Sequence, residues 1–124
     1  MRIGWRLYRM KKKVLLITII AWGTLLFGSV DNGVGAALFN ERGCVMCHAK
    51  DGDMVGPSIR TISIRYSGNE NALVAYLKGQ GQPIVYPERE AMMRPQLLRI
   101  SNLYEDEYRS LARYLIQAFM RVDF

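Results

Sequence analysis

The stretch CVMCH, residues 44 to 48, contains both cysteines and the only histidine of this 124-residue chain. Two residues separate Cys44 from Cys47, and His48 follows the second cysteine directly. A disulfide between these thiols would close a very small loop and would constrain the chain little. A zinc site would find three ligands here and would need a carboxylate as the fourth. A thioredoxin-like pair requires a βαβ setting, and no run of strands is indicated beside the motif.

The order C-x-x-C-H is typical of the covalent attachment of c-type haem. Two cysteines on one helical turn can form thioethers with the vinyl groups at one porphyrin edge, and the adjacent histidine can place its imidazole under the iron. The motif therefore predicts one covalently bound haem c, held by Cys44 and Cys47, with His48 as an axial ligand.

The chain has no second histidine that could fill the sixth coordination position of the iron. Methionine sulfur is the remaining candidate, and EAMMRPQLLRIS, residues 90 to 101, contains Met92 and Met93. We favour Met93 as the iron ligand because Pro95 stands close behind it in a segment predicted to be irregular. Met92 is the alternative ligand, and otherwise serves in packing. A five-coordinate iron with both methionines in the core is the remaining alternative.

The positive charge of the chain is confined to its N-terminus. The formal net charge is +6, and residues 1–13 carry six basic side chains and no acidic one. Residues 14–124 carry eleven basic and eleven acidic side chains and are neutral. Nucleic-acid binding requires a basic face on the folded domain and is not predicted.

An apolar stretch of 17 residues without a charge, residues 14 to 30, follows the basic segment. As a helix it would extend roughly 25 Å, the short end of what spans a bilayer. Small residues at Val34 and Ala36 would also suit a cleavable signal. We interpret residues 1–13 as a basic cytoplasmic segment, residues 14–32 as a transmembrane anchor or signal h-region, and residues 33–124 as an exported haem domain. A single-pass anchor in the cytoplasmic membrane is favoured over a periplasmic protein released by cleavage.

Helical periodicity, together with start and stop signals, predicts three helices and an all-α domain. The helices cover residues 35–42, 70–79 and about 105–120, with Asn69 as an N-cap and Gly43 and Gly79 as stops. Residues 49–68 are loop-like around Gly52 and Gly56-Pro57 and ambiguous after them. Two prolines exclude regular structure from residues 80–90.

The motifs GAALFNERGCVMCH, GPSI, RYSG, MMRPQL and YEDEYRSLARYL together resemble the small monohaem class I c-type cytochromes over roughly residues 33 to 120. Among these, the bacterial c-555/c-552 type is similar in having an axial methionine followed by a basic residue, proline, glutamine and leucine. The resemblance implies a class I cytochrome c fold, with three main helices around one covalently attached haem, here preceded by a hydrophobic N-terminal helix.

Carried over to this chain, the resemblance implies that Cys44 and Cys47 hold the haem and that His48 and Met93 are the axial ligands. It also implies that the carbonyl of Pro57 accepts a hydrogen bond from the His48 ring.

Two further implications concern the helices at the ends of the domain. Gly35 and Phe39 are expected to pack against Tyr114 where the first and last helices cross. Tyr104 stands where a capping serine or threonine is common, which leaves that helix cap open.

Filled axial positions leave no vacancy for oxygen or peroxide, so one-electron transfer is predicted rather than catalysis. The expected partners are periplasmic-side redox complexes such as a quinol-oxidising complex, a terminal oxidase or a dehydrogenase, with the protein shuttling between them or tethered as a subunit. A weak or missing Met93 bond would instead indicate a haem subunit of an enzyme or a small-ligand sensor. Candidates for contact with the haem propionates or the pocket are Arg60, Arg65, Arg94, Tyr66 and Tyr86.

Overall fold

The structure is a computed structural model that describes residues 30–120. By its internal contacts the chain divides into two units, Met1–Val30 and Asp31–Phe124. The predicted basic segment, and all but the last residues of the predicted anchor or signal, lie outside the described residues. No helix within residues 30–120 is long and apolar enough to cross a membrane.

Residues 30–120 form helices and turns and contain no strand, so this part of the chain is all-helical, as predicted. The α-helices are α1 Val30–Glu41, α2 Ile59–Arg65, α3 Glu70–Leu77, α4 Glu90–Met93 and α5 Glu105–Gln117. Three 3-10 helices cover Cys44–Met46, Pro87–Arg89 and Arg94–Ile100. The helices α1, α3 and α5 correspond to the three predicted from the sequence.

The two glycines that end helices lie where the sequence predicts them, but α1 starts earlier than predicted. Gly43 and Gly79 have φ angles of 75° and 74°, a left-handed conformation that glycine adopts without strain. Helix α1 begins at Val30, before the predicted start at Gly35. Position 35 therefore lies inside the helix, and it is occupied by glycine because a side chain there would meet another helix.

Helix α2 lies in the segment whose sequence was ambiguous. Its N-cap is Ser58, whose Oγ accepts a hydrogen bond of 3.1 Å from the backbone N–H of Thr61. Ile59 and Ile62 are buried, so the helix places an apolar face in the core. A serine directly before the apolar residues was the sequence signal for this helix.

Helix α5 packs against α2 and α3 and supplies much of the core. Its apolar residues Tyr108, Leu111 and Leu115 are spaced three and four residues apart, lie on one face and are buried. Across the α2–α5 contact, the buried hydroxyl of Ser63 donates to the carbonyl oxygen of Ile116. The apolar face of α3 is also buried, through Leu73, Val74 and Leu77.

The N-terminus of α5 is capped from within the helix. The side chain of Tyr104, the N-cap residue, is 77% exposed and makes no capping hydrogen bond with the described residues. Instead, a carboxylate oxygen of Glu107 accepts a 2.8 Å hydrogen bond from the backbone N–H of Tyr104. Glu107 thus satisfies a group that would otherwise lack a partner.

The segment that carries the candidate methionines is more regular than predicted. Residues 90–101 were expected to be irregular, but α4 and the 3-10 helix Arg94–Ile100 run through them. Pro95 stands in the first turn of that 3-10 helix, where a missing N–H removes no internal hydrogen bond. Pro87 likewise opens the 3-10 helix Pro87–Arg89, so the exclusion of regular structure holds only for residues 80–86.

Candidate functional site

A cavity of about 350 Å³ brings together the two segments selected from the sequence. Its lining includes Cys44, Cys47 and His48 and also Met92 and Met93. Its size lies in the range of ligand and cofactor pockets, roughly 300 to 1,000 Å³. Much of the remaining wall is apolar and comes from α3 and α5, with Leu73, Leu77, Leu111 and Leu115.

The two cysteines are half-buried free thiols at the wall of this cavity. Gly43, in its left-handed conformation, lies between the end of α1 and the 3-10 helix Cys44–Met46. Cys44 is the first residue of that 3-10 helix, which carries the motif. Burial raises the pKa of the Cys44 thiol, although its backbone hydrogen bond and the positive charges of Arg99 and Arg42 act in the opposite direction. A raised pKa is the reverse of the activated thiolate that a thiol redox pair needs.

The imidazole of His48 is oriented by the carbonyl of Pro57. The side chain is 8% exposed, and its Nδ1 lies 2.7 Å from the carbonyl oxygen of Pro57. The carbonyl can only accept, so Nδ1 carries a proton, and in the neutral ring Nε2 has a free lone pair. Nε2 has no hydrogen-bond partner among residues 30–120, and His48 lines the cavity. This is the tautomer that a histidine needs to bind a metal through Nε2.

The backbone of Gly56 forms a close wall behind the His48 ring. A Cβ atom at position 56 would lie 2.6 Å from Cε1 and 2.9 Å from Nδ1 of His48. The amide of Gly56 donates a 2.9 Å hydrogen bond to the carbonyl oxygen of Cys47, which ties this wall to the motif. The ring can occupy its position only because residue 56 has no side chain. The motif GPSI contains this glycine, directly before Pro57, but no role was predicted for it from the sequence.

Of the two candidate methionines, Met93 is the one packed into the protein. Met93 is partly buried against the core, whereas Met92 is 58% exposed. The expectation that Met92 serves in packing is therefore wrong, because α4 turns that residue outward. Both methionines line the cavity.

The arrangement fits a haem with respect to the donor set and the largely apolar lining of the pocket. It offers two free thiols, one imidazole with an open Nε2 and one partly buried thioether around an apolar cavity. A sequence profile of the family described as Cytochrome c matches residues 34–118, which include all of these groups. The chain belongs to the cytochrome c family.

Relatives of this cytochrome c occur among characterised bacterial proteins. Cytochrome c-551 of Pseudomonas aeruginosa is 30% identical over 108 residues, covering 85% of this chain and 96% of the relative. Cytochrome c-551 of Stutzerimonas stutzeri is 30% identical over 79 residues, or 61% of this chain and 76% of the relative. Cytochrome c-551 of Azotobacter vinelandii is 36% identical over 50 residues, or 38% of this chain and 61% of the relative.

Membership of this family means that the protein binds covalently attached haem c and is an electron carrier. His48 and Met93 lie near the two cysteines at the same cavity, as His/Met ligation requires.

The arginines beside the cavity of this cytochrome are not those selected from the sequence. In the described part of the chain Arg60, Arg65 and Arg94 do not line the cavity. Arg60 lies 3.9 Å from Asp51, and Arg94 pairs with Glu90 one turn earlier.

Three other arginines, Arg42, Arg89 and Arg99, line the cavity instead. Arg42 Nη1 donates to the carbonyl oxygen of Arg99 at 3.0 Å and to Asn102 Oδ1 at 2.9 Å. The position of Arg42 two residues before Cys44 was the only sequence signal that any of these three arginines lies at the cavity.

Tyr66 and Tyr86 line the cavity, and so does Tyr76, which sequence analysis did not select. The Tyr66 hydroxyl accepts a 3.1 Å hydrogen bond from the backbone N–H of Ile84. Burial, with a further contribution from the charge of Glu90, raises the pKa of Tyr76 to about 12. Tyr76 therefore stays neutral well above physiological pH.

Proposed function

We propose that this protein is a one-electron carrier in which Cys44 and Cys47 hold the haem through thioethers and His48 and Met93 are its axial ligands. The observation that carries this proposal is that all four side chains line one cavity, with Nδ1 of His48 engaged by Pro57. When bound, the haem supplies a single iron that alternates between the ferrous and ferric states.

The residues around the iron site have separable roles in this proposal. The Pro57 carbonyl holds the His48 ring in one tautomer and makes it a stronger donor through Nε2. The Met93 thioether favours the ferrous state and raises the reduction potential relative to a second histidine. Partial burial of Met93 against the core keeps water from competing for its position.

We expect redox partners to dock at the exposed apolar side chains beside the cavity. Met46, Val55 and Met92 all line the cavity and are also more than half exposed. Since residues 14–124 carry no net charge, apolar contact rather than steering by charge would direct docking. The partners proposed are membrane respiratory proteins, namely a quinol-oxidising complex, a terminal oxidase or a dehydrogenase.

The proposed location is the periplasmic face of the cytoplasmic membrane. The basis is the basic segment followed by an uncharged apolar stretch in residues 1–30. A single-pass tether would keep the carrier concentrated near membrane partners. Intact mass of the purified protein decides between a retained anchor and a cleaved signal, and it also counts the attached haems.

Replacement of the two methionines one at a time tests the ligand assignment. The ferric wild-type protein should show the sulfur-to-iron charge-transfer band at the red end of its visible spectrum. Met93→Ala should abolish this band, and Met92→Ala, the matched control, should retain it. Retention in Met93→Ala, or loss in Met92→Ala, would reject Met93 as the ligand. A high-spin wild-type spectrum that responds to carbon monoxide would favour a ligand-binding sensor or enzyme subunit instead.

A further inference from the structure

Two loops border the cavity, and a single hydrogen bond joins them. The first, residues 49–58, follows the haem-binding motif and contains Pro57, the partner of His48. The second, residues 78–89, leads into α4 and Met93. The hydroxyl of Tyr86 in the second loop donates to Oδ2 of Asp53 in the first, at 2.6 Å. The loop beside His48 is thereby connected to the loop that leads to Met93.

The Asp53 end of this bond is firmly held. Its other carboxylate oxygen, Oδ1, accepts from the backbone N–H of Ser58 at 2.8 Å and from the hydroxyl of Thr61 at 3.1 Å. Ser58 is almost fully buried and caps α2. The carboxylate is therefore fixed to a buried point of the core, immediately after Pro57.

The Tyr86 end is held in an unfavourable backbone conformation. Tyr86 has a φ angle of 46° and is the only non-glycine residue within residues 30–120 with a positive φ. Bulky L-residues rarely adopt this region, and a residue before proline favours extended backbone. Its neighbour Arg89 donates its backbone N–H to the Tyr86 carbonyl at 2.8 Å and places its guanidinium 4.8 Å from the ring centroid. Such a conformation persists only where surrounding contacts impose it.

We propose that the Asp53–Tyr86 hydrogen bond is a clamp: it holds the second loop, and with it α4 and Met93, closed over the cavity. Asp53 and Tyr86 are positioning residues, since they act on the iron through the placement of Met93. The strained Tyr86 lies directly before the 3-10 helix Pro87–Arg89, which continues into α4. Without the hydroxyl contact, the backbone at Tyr86 can relax and withdraw α4 from the cavity. This inference rests on the proposed function, because it takes Met93 as the iron ligand.

The clamp is tested on the ferric holoprotein by competition between Met93 and added imidazole. Loss of the charge-transfer band during an imidazole titration reports the displacement of Met93. The Asp53–Tyr86 bond is exposed to solvent, so Tyr86→Phe and Asp53→Ala should each strengthen apparent imidazole binding by about three- to tenfold, the factor expected from loss of an ordinary hydrogen bond. The double variant should equal the stronger single variant, because both changes remove the same bond. Amide exchange of residues 84–93 should be faster in each variant.

Two exposed residues of the same types provide matched controls. Tyr104→Phe removes the hydroxyl of an exposed tyrosine, and Asp51→Ala removes an exposed carboxylate two residues from Asp53. Both should leave imidazole binding within about twofold of the wild type. The clamp is refuted if Tyr86→Phe changes imidazole binding by less than about twofold, or if the effects of the single variants multiply in the double variant. If the wild-type protein lacks the band, the Met93 assignment fails and the clamp with it, whereas a wild-type band with unresponsive variants refutes the clamp alone.

Discussion

Gly35 of α1 lies directly against Tyr114 of α5, since a Cβ atom at position 35 would be 2.5 Å from the Cβ of Tyr114. That Cβ atom would also overlap the carbonyl oxygen of Ser110, which belongs to α5 like Tyr114. One turn later along α1, the ring of Phe39 packs 5.6 Å from the ring of Tyr114, measured between centroids. This crossing confirms the predicted contact between the first and last helices. It also places the end of α1, and so the CVMCH motif, beside the wall that α5 gives to the cavity.

Gly35→Ala should destabilise the protein by about 1–3 kcal/mol, because the new methyl group meets the backbone of α5, which cannot move aside cheaply. Gly33→Ala is the matched control in the same helix, since a Cβ there has nothing within 4 Å. It should be neutral or stabilising by about 0.5–1 kcal/mol, as alanine favours a helix over glycine. Denaturant unfolding of the two variants checks the difference. Equal stabilities would mean that the helices do not cross at Gly35.

Gly56→Ala should displace the His48 ring, because the added methyl group would lie 2.6 Å from Cε1. We expect a loss of stability of about 1–3 kcal/mol. A weaker Nδ1–Pro57 hydrogen bond makes the imidazole a poorer donor, which should raise the reduction potential of the haem. Redox titration and unfolding are measured beside Gly52→Ala, where a Cβ in the same loop meets nothing within 4 Å. A potential that moves equally in both variants would contradict the role given to Gly56.

Asp53 should titrate far below an ordinary carboxyl group. The hydrogen bond from Tyr86, followed by that from the Ser58 amide, lowers the pKa of Asp53 from 3.8 to about 2. A carboxyl group whose pKa is lower in the folded state stabilises the fold above the unfolded pKa. That contribution is lost as the pH falls from about 4 towards 2. Tyr86→Phe removes the largest cause and should raise the pKa of Asp53 towards 3.8.

Carboxyl-carbon NMR titration of the ferrous protein measures this pKa directly, with Tyr104→Phe as the control. If Asp53 still titrated near 2 in Tyr86→Phe, the hydroxyl of Tyr86 would not be its principal partner.

Leu111→Ala should be among the most destabilising single changes in α5. Its side chain is 1% exposed and lines the cavity, so truncation removes apolar contacts and enlarges a space the core cannot refill. The expected loss is about 2–5 kcal/mol in the free energy of unfolding. Leu98→Ala, where the leucine is 75% exposed, should change stability by no more than about 0.5 kcal/mol. Thermal or denaturant unfolding of the holoproteins compares the two, and a small effect at Leu111 would count against its place in the cavity wall.

The helices were predictable to the extent that their signals are local. The left-handed glycines Gly43 and Gly79 and the buried stripe of α5 follow from neighbouring residues along one element. The start of α1 could not be predicted, because glycine inside a helix is unfavourable unless a second helix needs the space. That second helix is α5, which lies far along the chain. The regular structure around Pro87 and Pro95 was not predicted, because the sequence does not distinguish a proline in the first turn of a helix from one that interrupts a helix.

By itself, the sequence determined the chemistry that five consecutive residues can carry: two thiols and an imidazole at the spacing for covalent haem, in an all-α domain. Only the tertiary structure decided which groups surround that chemistry. It turned Met92 outward and Met93 inward, brought Arg42, Arg89 and Arg99 to the cavity, and joined Asp53 to Tyr86 across 33 residues. The physical reason is that covalent spacing fixes distances within one turn, whereas contacts between loops depend on how whole helices pack.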